Sequence, residues 1–211
     1  MVNAPIVKTA PVSTPDNVSA KPLILAFGDS LTAGFGLTDP KKSYPSLLQD
    51  SLVREGFDYQ VINLGFSGDT SATGLKRLWL ALKYKPAEIF ILELGANDVV
   101  KKTSAAEIKA NLAEIIKQVK ASGARVILCG ISPPTSLGDE YGLEVRRMYA
   151  ELAQEYDLPL IQDFMQDVRG DPERMLPDGI HPNEKGAQVI EQNVRVVVKT
   201  LLAKNDDSRK K

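Results

Sequence analysis

Short apolar runs alternate with amphipathic segments along most of this 211-residue chain, and this alternation constrains the fold more than any other feature. The runs typical of buried strands are residues 23–27, 59–64, 88–94, 125–129 and, as a weaker pattern, 158–161. The segments with apolar residues at helical spacing are residues 44–54, 71–83, 105–122, 143–155 and 184–202. Such alternation predicts a parallel sheet with helices on both faces and right-handed connections. No repeat or second core interrupts the pattern, so we predict one α/β domain over residues 22–203.

The composition fits one soluble domain, because 43% of the residues are hydrophobic and 25% are charged. The net charge of −1 provides no basic field, which argues against a nucleic acid as partner. All apolar runs are far shorter than the ~18 residues of a spanning helix, so we expect no integral membrane segment. One histidine and one cysteine are too few for a His/Cys zinc site, and we expect neither a metal nor a cofactor.

The two ends of the chain differ in composition from the domain. Residues 1–21 are rich in Pro, Ser, Thr, Val and Ala without periodicity, which is typical of a flexible tether. No charged segment followed by an apolar one lies there, so we do not expect an intact secretory signal. Residues 204–211 are polar and charged, and we expect them to form a frayed tail.

Small polar clusters follow four of the predicted strands. They are Gly28-Asp29-Ser30, Gly65-Phe66-Ser67-Gly68-Asp69, Gly95-Ala96-Asn97-Asp98 and Gly130-Ile131-Ser132. Open α/β sheets bind ligands at the carboxyl ends of their strands, which makes Ser30, after the first strand, a candidate functional residue. Strand-to-helix turns favour Gly, Asn, Asp and Ser in any case, so each cluster taken alone also fits a simple turn or helix cap.

The single histidine of the chain, His181, favours a catalytic interpretation. It lies in a loop before the last predicted helix, where it can return to the carboxyl edge of the sheet. Asp178, three positions earlier, can reach the imidazole Nδ1–H and fix its tautomer. A surface histidine near a helix start is the alternative, but together with Ser30 the pattern indicates a Ser–His–Asp mechanism.

Serine attack on a carbonyl also requires hydrogen-bond donors for the oxyanion that develops. The backbone N–H groups of Ser30 and Gly68 and the side-chain amide of Asn97 come from three predicted strand ends and could supply them. Viewed separately, Gly68 also fits a turn glycine and Asn97 also fits a helix-capping asparagine.

Four blocks occur in order along the chain: Gly28-Asp29-Ser30-Leu31, Gly68, Gly95-Ala96-Asn97-Asp98 and Asp178-Gly179-Ile180-His181. From about Pro22 to Leu202 the sequence resembles the SGNH (GDSL) hydrolases, particularly the bacterial arylesterase branch that includes thioesterase I/protease I/lysophospholipase enzymes. The resemblance implies a flavodoxin-like three-layer α/β/α fold with a five-stranded parallel sheet in the order 2-1-3-4-5. It also implies roles for the residues of these blocks: Ser30 as nucleophile, His181 as base, Asp178 as its orienting carboxylate, and Ser30, Gly68 and Asn97 as the oxyanion hole.

The chain departs from this branch at two places. Ala96 stands where the branch commonly has a second glycine, a small change that should leave Asn97 undisturbed. The loop of residues 132–142 is longer than in thioesterase I-like relatives, where it borders the acyl pocket, so a chain-length preference cannot be transferred. We expect the substrate to contact residues of this loop and residues beside the nucleophile and base, namely Asp29, Leu31, Ser132, Pro133 and Ile180.

The resemblance predicts a metal-independent serine hydrolase of small-molecule esters or thioesters, acting on short- to medium-chain acyl or aryl esters, acyl-CoA or lysophospholipid. We expect a monomer or weak dimer, in the periplasm or secreted, with the cytoplasm as the alternative. A carbohydrate O-acetyl esterase with the same residues is an alternative, distinguished by a small polar pocket.

An alternative from a different functional class is a flavodoxin-like module that binds an anion or flavin at residues 28–36, although the motifs G-x-x-x-x-G-K-[ST] and G-x-G-x-x-G are absent. The α/β-hydrolase elbow G-x-S-x-G is also absent, since the match at residues 65–69 fails at Asp69.

Overall fold

The first strand lies between the second and third in a five-stranded parallel sheet with the order β2-β1-β3-β4-β5. The computed structural model describes residues 21–85 and 87–209. The strands are β1 (Leu23–Gly28), β2 (Gln60–Gly65), β3 (Ala87–Glu93), β4 (Arg125–Cys129) and β5 (Leu160–Ile161). This confirms the predicted sheet and its strand order.

Seven α-helices among the described residues cover the two faces of the sheet. They are α1 (Ser30–Ala33), α2 (Tyr44–Arg54), α3 (Ser71–Ala81), α4 (Ala96–Val100), α5 (Ala105–Ala121), α6 (Asp139–Tyr156) and α7 (Glu184–Arg209), with 3-10 turns at Pro40–Lys42 and Thr135–Leu137. Helix α2 packs against α7, while α5 packs against both α3 and α6. These two groups form the outer layers of the three-layer α/β/α fold.

Burial on both faces explains why the central strands are continuous apolar runs rather than alternating ones. All six residues of β1 are buried, as are the last five of β3 and the last four of β4. The edge strand β2 is only half-buried. The core therefore lies along the middle of the sheet, directly beneath the turn that carries Ser30.

The register aligns the strand ends in one row. Gly28 of β1 pairs with Gly65 of β2 and with Glu93 of β3, and Glu93 in turn pairs with Cys129 of β4. The polar clusters that follow these strands consequently emerge along one edge of the sheet. This is the edge at which the sequence predicts the functional site.

Several boundaries differ from the predicted ones. Helices α1 and α4 have only four and five residues, too few for a periodic pattern to indicate them. Helix α6 begins at Asp139, four residues before the predicted start, because the loop turns into the helix at Gly138 with φ +98°. Helix α7 continues to Arg209, so most of the predicted frayed tail is helical. The predicted tether lies, except for Lys21, outside the described residues.

None of the helices in the described part of the chain is both long and apolar enough to cross a membrane.

Candidate active site

Ser30 is the first residue of α1 and lies at the carboxyl end of β1. The preceding residue, Asp29, caps this helix, since its Oδ1 accepts a hydrogen bond from the N–H of Leu31 at 3.0 Å. The cap turns the chain sharply away from the strand, and Ser30 is left half-buried while Asp29 is fully buried. The serine hydroxyl is thus held at the sheet edge on a rigid turn rather than on a long loop.

His181 meets Ser30 from the other end of the chain. Its Nε2 lies 2.9 Å from Ser30 Oγ, and its Nδ1 lies 2.7 Å from Asp178 Oδ2. With Nδ1–H donating to the carboxylate, Nε2 is free to accept the proton of the serine hydroxyl. The three side chains form one continuous chain of hydrogen bonds.

Asp178 also closes the turn that carries the histidine. Its Oδ1 accepts hydrogen bonds from the N–H groups of Ile180 at 2.9 Å and His181 at 3.0 Å. The backbone N–H of His181, its imidazole and the N–H of Ile180 stabilise the charged form and lower the pKa of Asp178 to about 2. The carboxylate is therefore ionised at any pH at which a serine hydrolase works.

The histidine loop is anchored by Asn183, which follows it directly. The Asn183 side-chain amide donates to the carbonyl groups of Glu173 at 2.8 Å and Met175 at 3.1 Å. The carbonyl of His181 accepts from the N–H of Leu176 at 2.8 Å. These contacts hold the irregular segment before α7 in one conformation and fix where the imidazole points.

The three oxyanion-hole candidates lie on adjoining turns. Asn97, in α4 after β3, donates from Nδ2 to Asp29 Oδ2 at 3.1 Å and to the carbonyl of Asp69 at 2.9 Å. Asp29 and Asp69 are the sequence neighbours of Ser30 and Gly68, so one amide group connects all three turns. Gly68 has φ +89°, a conformation that L side chains rarely adopt, and a Cβ there would meet nothing within 4 Å. Its requirement for glycine is therefore conformational rather than one of space.

Arg77 of α3 stabilises the same turns, and the sequence analysis did not identify it. Its guanidinium forms an ion pair with Asp69 and donates from Nη2 to the carbonyl of Gly28 at 2.9 Å. It also stacks on the ring of Phe27, 3.9 Å from the centroid. The sequence pattern does not indicate this role, because an arginine on an amphipathic helix is most often simply exposed to solvent.

The residues predicted to contact substrate have different surroundings. Asp29 and Leu31 are buried, whereas Ile180 beside the histidine is 62% exposed. Pro133 is buried, and Ser132 is half-buried and lines a surface cavity of about 440 Å³ between α6 and the end of β5. Neither Ser30 nor His181 lines that cavity.

Three exposed apolar side chains lie on the turns next to Ser30 and His181, and we call Phe35, Phe66 and Ile180 the apolar rim. Their side chains are 51%, 64% and 62% exposed. The ring of Phe35 lies 4.6 Å from the imidazole of His181, centroid to centroid, at an interplanar angle of 44°. Phe66 follows β2 in the turn that leads to Gly68. The sequence analysis identified only Ile180, because a phenylalanine in a glycine-rich loop carries no periodic pattern.

Comparison with known proteins identifies the family of this chain. The family described as "GDSL-like Lipase/Acylhydrolase family" matches residues 26–189. "Esterase TesA" of Pseudomonas aeruginosa is 36% identical over 87% of this chain and 91% of its own length. "Thioesterase 1/protease 1/lysophospholipase L1" of Escherichia coli K12 is 36% identical over 78% of this chain and 77% of its own. The crystal structure of AlinE4, described as an SGNH-hydrolase family esterase, is 36% identical, covers 88% of this chain and 99% of its own, and has a TM-score of 0.72.

These matches cover most of both partners in each comparison, and the family match includes Ser30, Gly68, Asn97 and Asp178-Gly179-Ile180-His181. The matches therefore argue against the alternative of a flavodoxin-like module that binds an anion or flavin. The chain belongs to the GDSL-like lipase/acylhydrolase family, the SGNH hydrolases, and is a hydrolase of carboxylic esters or thioesters.

Proposed function

We propose that this protein cleaves carboxylic esters with small acyl or aryl groups through an acyl-enzyme formed on Ser30. The observation that carries the proposal is the hydrogen-bonded chain from Ser30 Oγ through His181 to Asp178, with distances of 2.9 Å and 2.7 Å. A serine hydroxyl is a weak nucleophile until a neighbouring base takes its proton. His181 Nε2 is within reach for that transfer, and the ionised Asp178 stabilises the imidazolium that results.

The reaction begins when Ser30 Oγ attacks the carbonyl carbon and its proton moves to His181 Nε2. The oxyanion that forms is held by the N–H groups of Ser30 and Gly68 and the amide of Asn97, each worth about 3–4 kcal/mol when well aligned. The bond to the alcohol or thiol then breaks, and the leaving group takes the proton from His181. Water, deprotonated by His181, attacks the acyl-enzyme in the same way, releasing the acid and restoring Ser30.

Asn97 has a particular place in this scheme, because both hydrogens of its amide already have acceptors. One contact, to Asp29 Oδ2 at 3.1 Å, is longer than the other, to the Asp69 carbonyl at 2.9 Å. A substrate oxyanion would compete for the hydrogen in the longer contact. The contact to Asp69 would meanwhile keep the amide aimed at the site.

The apolar rim supports acyl or aryl esters over strongly polar substrates. The exposed Phe35 ring lies against the imidazole and the exposed Ile180 precedes His181 in the chain, so a substrate bound at Ser30 has apolar surface beside it. Burying apolar area is worth roughly 25 cal/mol per Å². The names of the relatives support esters, thioesters and lysophospholipids as the classes to test.

The test is a substrate profile on the purified protein, with Ser30→Ala as its matched control. p-Nitrophenyl esters of two to twelve carbons, acyl-CoA thioesters and lysophospholipid are compared with acetylated sugars. We expect turnover of the acyl and aryl esters, stoichiometric labelling of Ser30 by an aryl phosphonate, and neither in Ser30→Ala. Hydrolysis that persists in Ser30→Ala would contradict the proposed nucleophile. A preference for acetylated sugars would instead identify a carbohydrate O-acetyl esterase.

A further inference from the structure

Glu93 is a buried carboxyl group directly beneath the nucleophile turn, and the mechanism above does not use it. It is the last residue of β3, the central strand of the sheet, and its side chain is inaccessible to solvent. An acidic residue in a strand whose neighbours are Ile89, Phe90, Ile91 and Leu92 contradicts the apolar pattern of that strand. Burying an ionisable group costs free energy that an apolar residue would not, which calls for a specific reason.

The contacts of Glu93 lie on both sides of the nucleophile. Its Oε2 accepts a hydrogen bond from Thr32 Oγ1 at 2.7 Å and is 3.3 Å from the backbone N of Asp29. Asp29 and Thr32 bracket Ser30 in the sequence, so one oxygen atom holds the turn before the serine and the first turn of α1 after it. The chain that carries Ser30 is thereby tied to the central strand of the sheet.

Gly28 makes this approach possible. A Cβ at Gly28 would lie 2.1 Å from Thr32 Oγ1 and 2.5 Å from Glu93 Oε2, and both distances are too short for real contacts. Any other residue at this position would force the carboxyl and the hydroxyl away from the turn. Gly28 is therefore required sterically, because a side chain there would clash with Glu93 and Thr32.

The groups packed around Glu93 favour its neutral form. Asp29, which follows β1, is as deeply buried as Glu93. The other ionisable groups near Glu93 are the Tyr44 hydroxyl on α2, the Tyr149 hydroxyl on α6 and the Cys129 thiol on β4. None of these supplies a positive charge. Burial, followed by the charge of Asp29, raises the pKa of Glu93 well above its usual range. A neutral carboxylic acid still accepts hydrogen bonds at Oε2, and glutamine can reproduce that acceptor without a charge.

We propose that Glu93 is a positioning residue, which holds Ser30 in register with His181 and the oxyanion donors through its hydrogen bonds to Asp29 and Thr32. This inference rests on the proposed function, since it takes Ser30 as the nucleophile. Glu93 does not touch the substrate, so its loss should change the alignment of the hydroxyl and N–H of Ser30 rather than substrate binding. Misalignment of this kind lowers kcat and leaves KM nearly unchanged.

The experiment compares Glu93→Gln with Glu93→Leu, and uses Glu191→Leu as a matched control. Glu191 is also a buried carboxylate, 5% exposed, but it pairs with Arg195 on α7 away from the site. We expect Glu93→Gln to keep kcat for a p-nitrophenyl ester within about threefold of the wild type. Glu93→Leu should lower kcat about 10- to 100-fold with KM within twofold, and should slow phosphonate labelling of Ser30 in parallel. Glu191→Leu should lower the melting temperature without changing kcat.

Either of two results would overturn the inference: a wild-type kcat in Glu93→Leu, or an equal loss in Glu93→Gln and Glu93→Leu. If Glu93→Leu does not fold, Thr32→Val decides, because it removes one of the two donors while preserving side-chain shape. We expect that variant to lose about three- to tenfold in kcat at constant KM, and an unchanged kcat would refute the proposal. Failure of the proposed function looks different, because the wild type itself would then neither hydrolyse esters nor be labelled at Ser30.

Discussion

The Nε2 of His181 lies 2.9 Å from the Oγ of Ser30, although 151 positions separate the two residues in the chain. Ser30 reaches this point from the end of β1, and His181 from the loop that precedes α7. Helix α7 packs against α2, the next α-helix after the one that begins at Ser30, and thereby brings the two ends of the domain together. The juxtaposition is a consequence of the tertiary fold.

Asp178→Asn should lower kcat by about 10²–10⁴ while changing KM little. An amide at this position can present its NH₂ group to Nδ1, which favours the tautomer in which Nε2 carries the proton and cannot act as a base. Steady-state kinetics on a p-nitrophenyl ester measures the loss. Asp171→Asn is the matched control, because Asp171 also pairs with a residue three positions later, Arg174 at 3.1 Å, in the same segment. If both variants kept full activity, Asp178 would have no part in orienting the base.

Asn97→Ala should reduce kcat by about 10²–10³ and leave KM within a few-fold, because an oxyanion donor acts mainly in the transition state. The substitution also removes the contacts to Asp29 and Asp69, so urea denaturation must accompany the kinetics. Asn193→Ala provides the control, since this amide lies on α7 and donates to the carbonyl of Gln166 at 3.4 Å. A tenfold rise in KM with unchanged kcat would assign Asn97 to ground-state binding instead.

Asp29→Asn should change how the stability of the protein depends on pH. Burial, opposed in part by the N–H of Leu31 and the charge of His181, raises the pKa of Asp29 from 3.8 to about 6. Between these values the folded protein holds a proton that the unfolded chain has lost, so stability falls as pH rises through this window and levels off above it. Burial also raises the pKa of Glu93, so Glu93 adds a slope of the same sign; the part that comes from the charge of Asp29 disappears in Asp29→Asn, which adds to the difference between the two proteins.

The free energy of unfolding, measured in urea at pH 4, 5, 6 and 7, should therefore decline more steeply in the wild type than in Asp29→Asn. The difference should grow by about 2–3 kcal/mol across the window, since one pKa unit corresponds to about 1.4 kcal/mol. Parallel curves for the two proteins would show that Asp29 titrates at its ordinary value. Asp178 contributes no slope here, because its lowered pKa affects stability only as the pH falls through about 2–4.

Phe35→Ala should lower kcat/KM for aryl and hexanoyl esters by about 10-fold and for acetate esters of small alcohols by less. The reason is loss of apolar surface beside His181, worth about 1–2 kcal/mol for a partly exposed ring. Trp79→Ala is the control, because Trp79 on α3 is exposed to a similar extent (55%) and its ring contacts Lys83. Equal effects of the two variants on all substrates would contradict a role of the apolar rim in specificity.

The amino-acid sequence alone predicts the layers, the turns that carry Ser30, Gly68 and Asn97, and most boundaries of the longer elements to within about two residues. Helix α2 and strand β4 have the predicted bounds, because periodic burial is a local property that a stretch of sequence reports directly. The resemblance of the four motif blocks to the SGNH hydrolases implied the strand order and the site roles. The sequence also indicates the pair Asp178 and His181, since the two are three positions apart and His181 is the single histidine of the chain.

The contacts at the edge of the sheet became visible only in the folded chain. Asn97 connects the turns of Asp29 and Asp69, and Phe35 lies beside His181. Glu93 accepts hydrogen bonds from the residues on both sides of Ser30. These contacts join residues up to 146 positions apart. Such contacts depend on the register of β1, β2 and β3 and on the packing of α7 against α2. No periodic pattern encodes these relations, because side chains that are distant in sequence are brought together by the burial of the whole core.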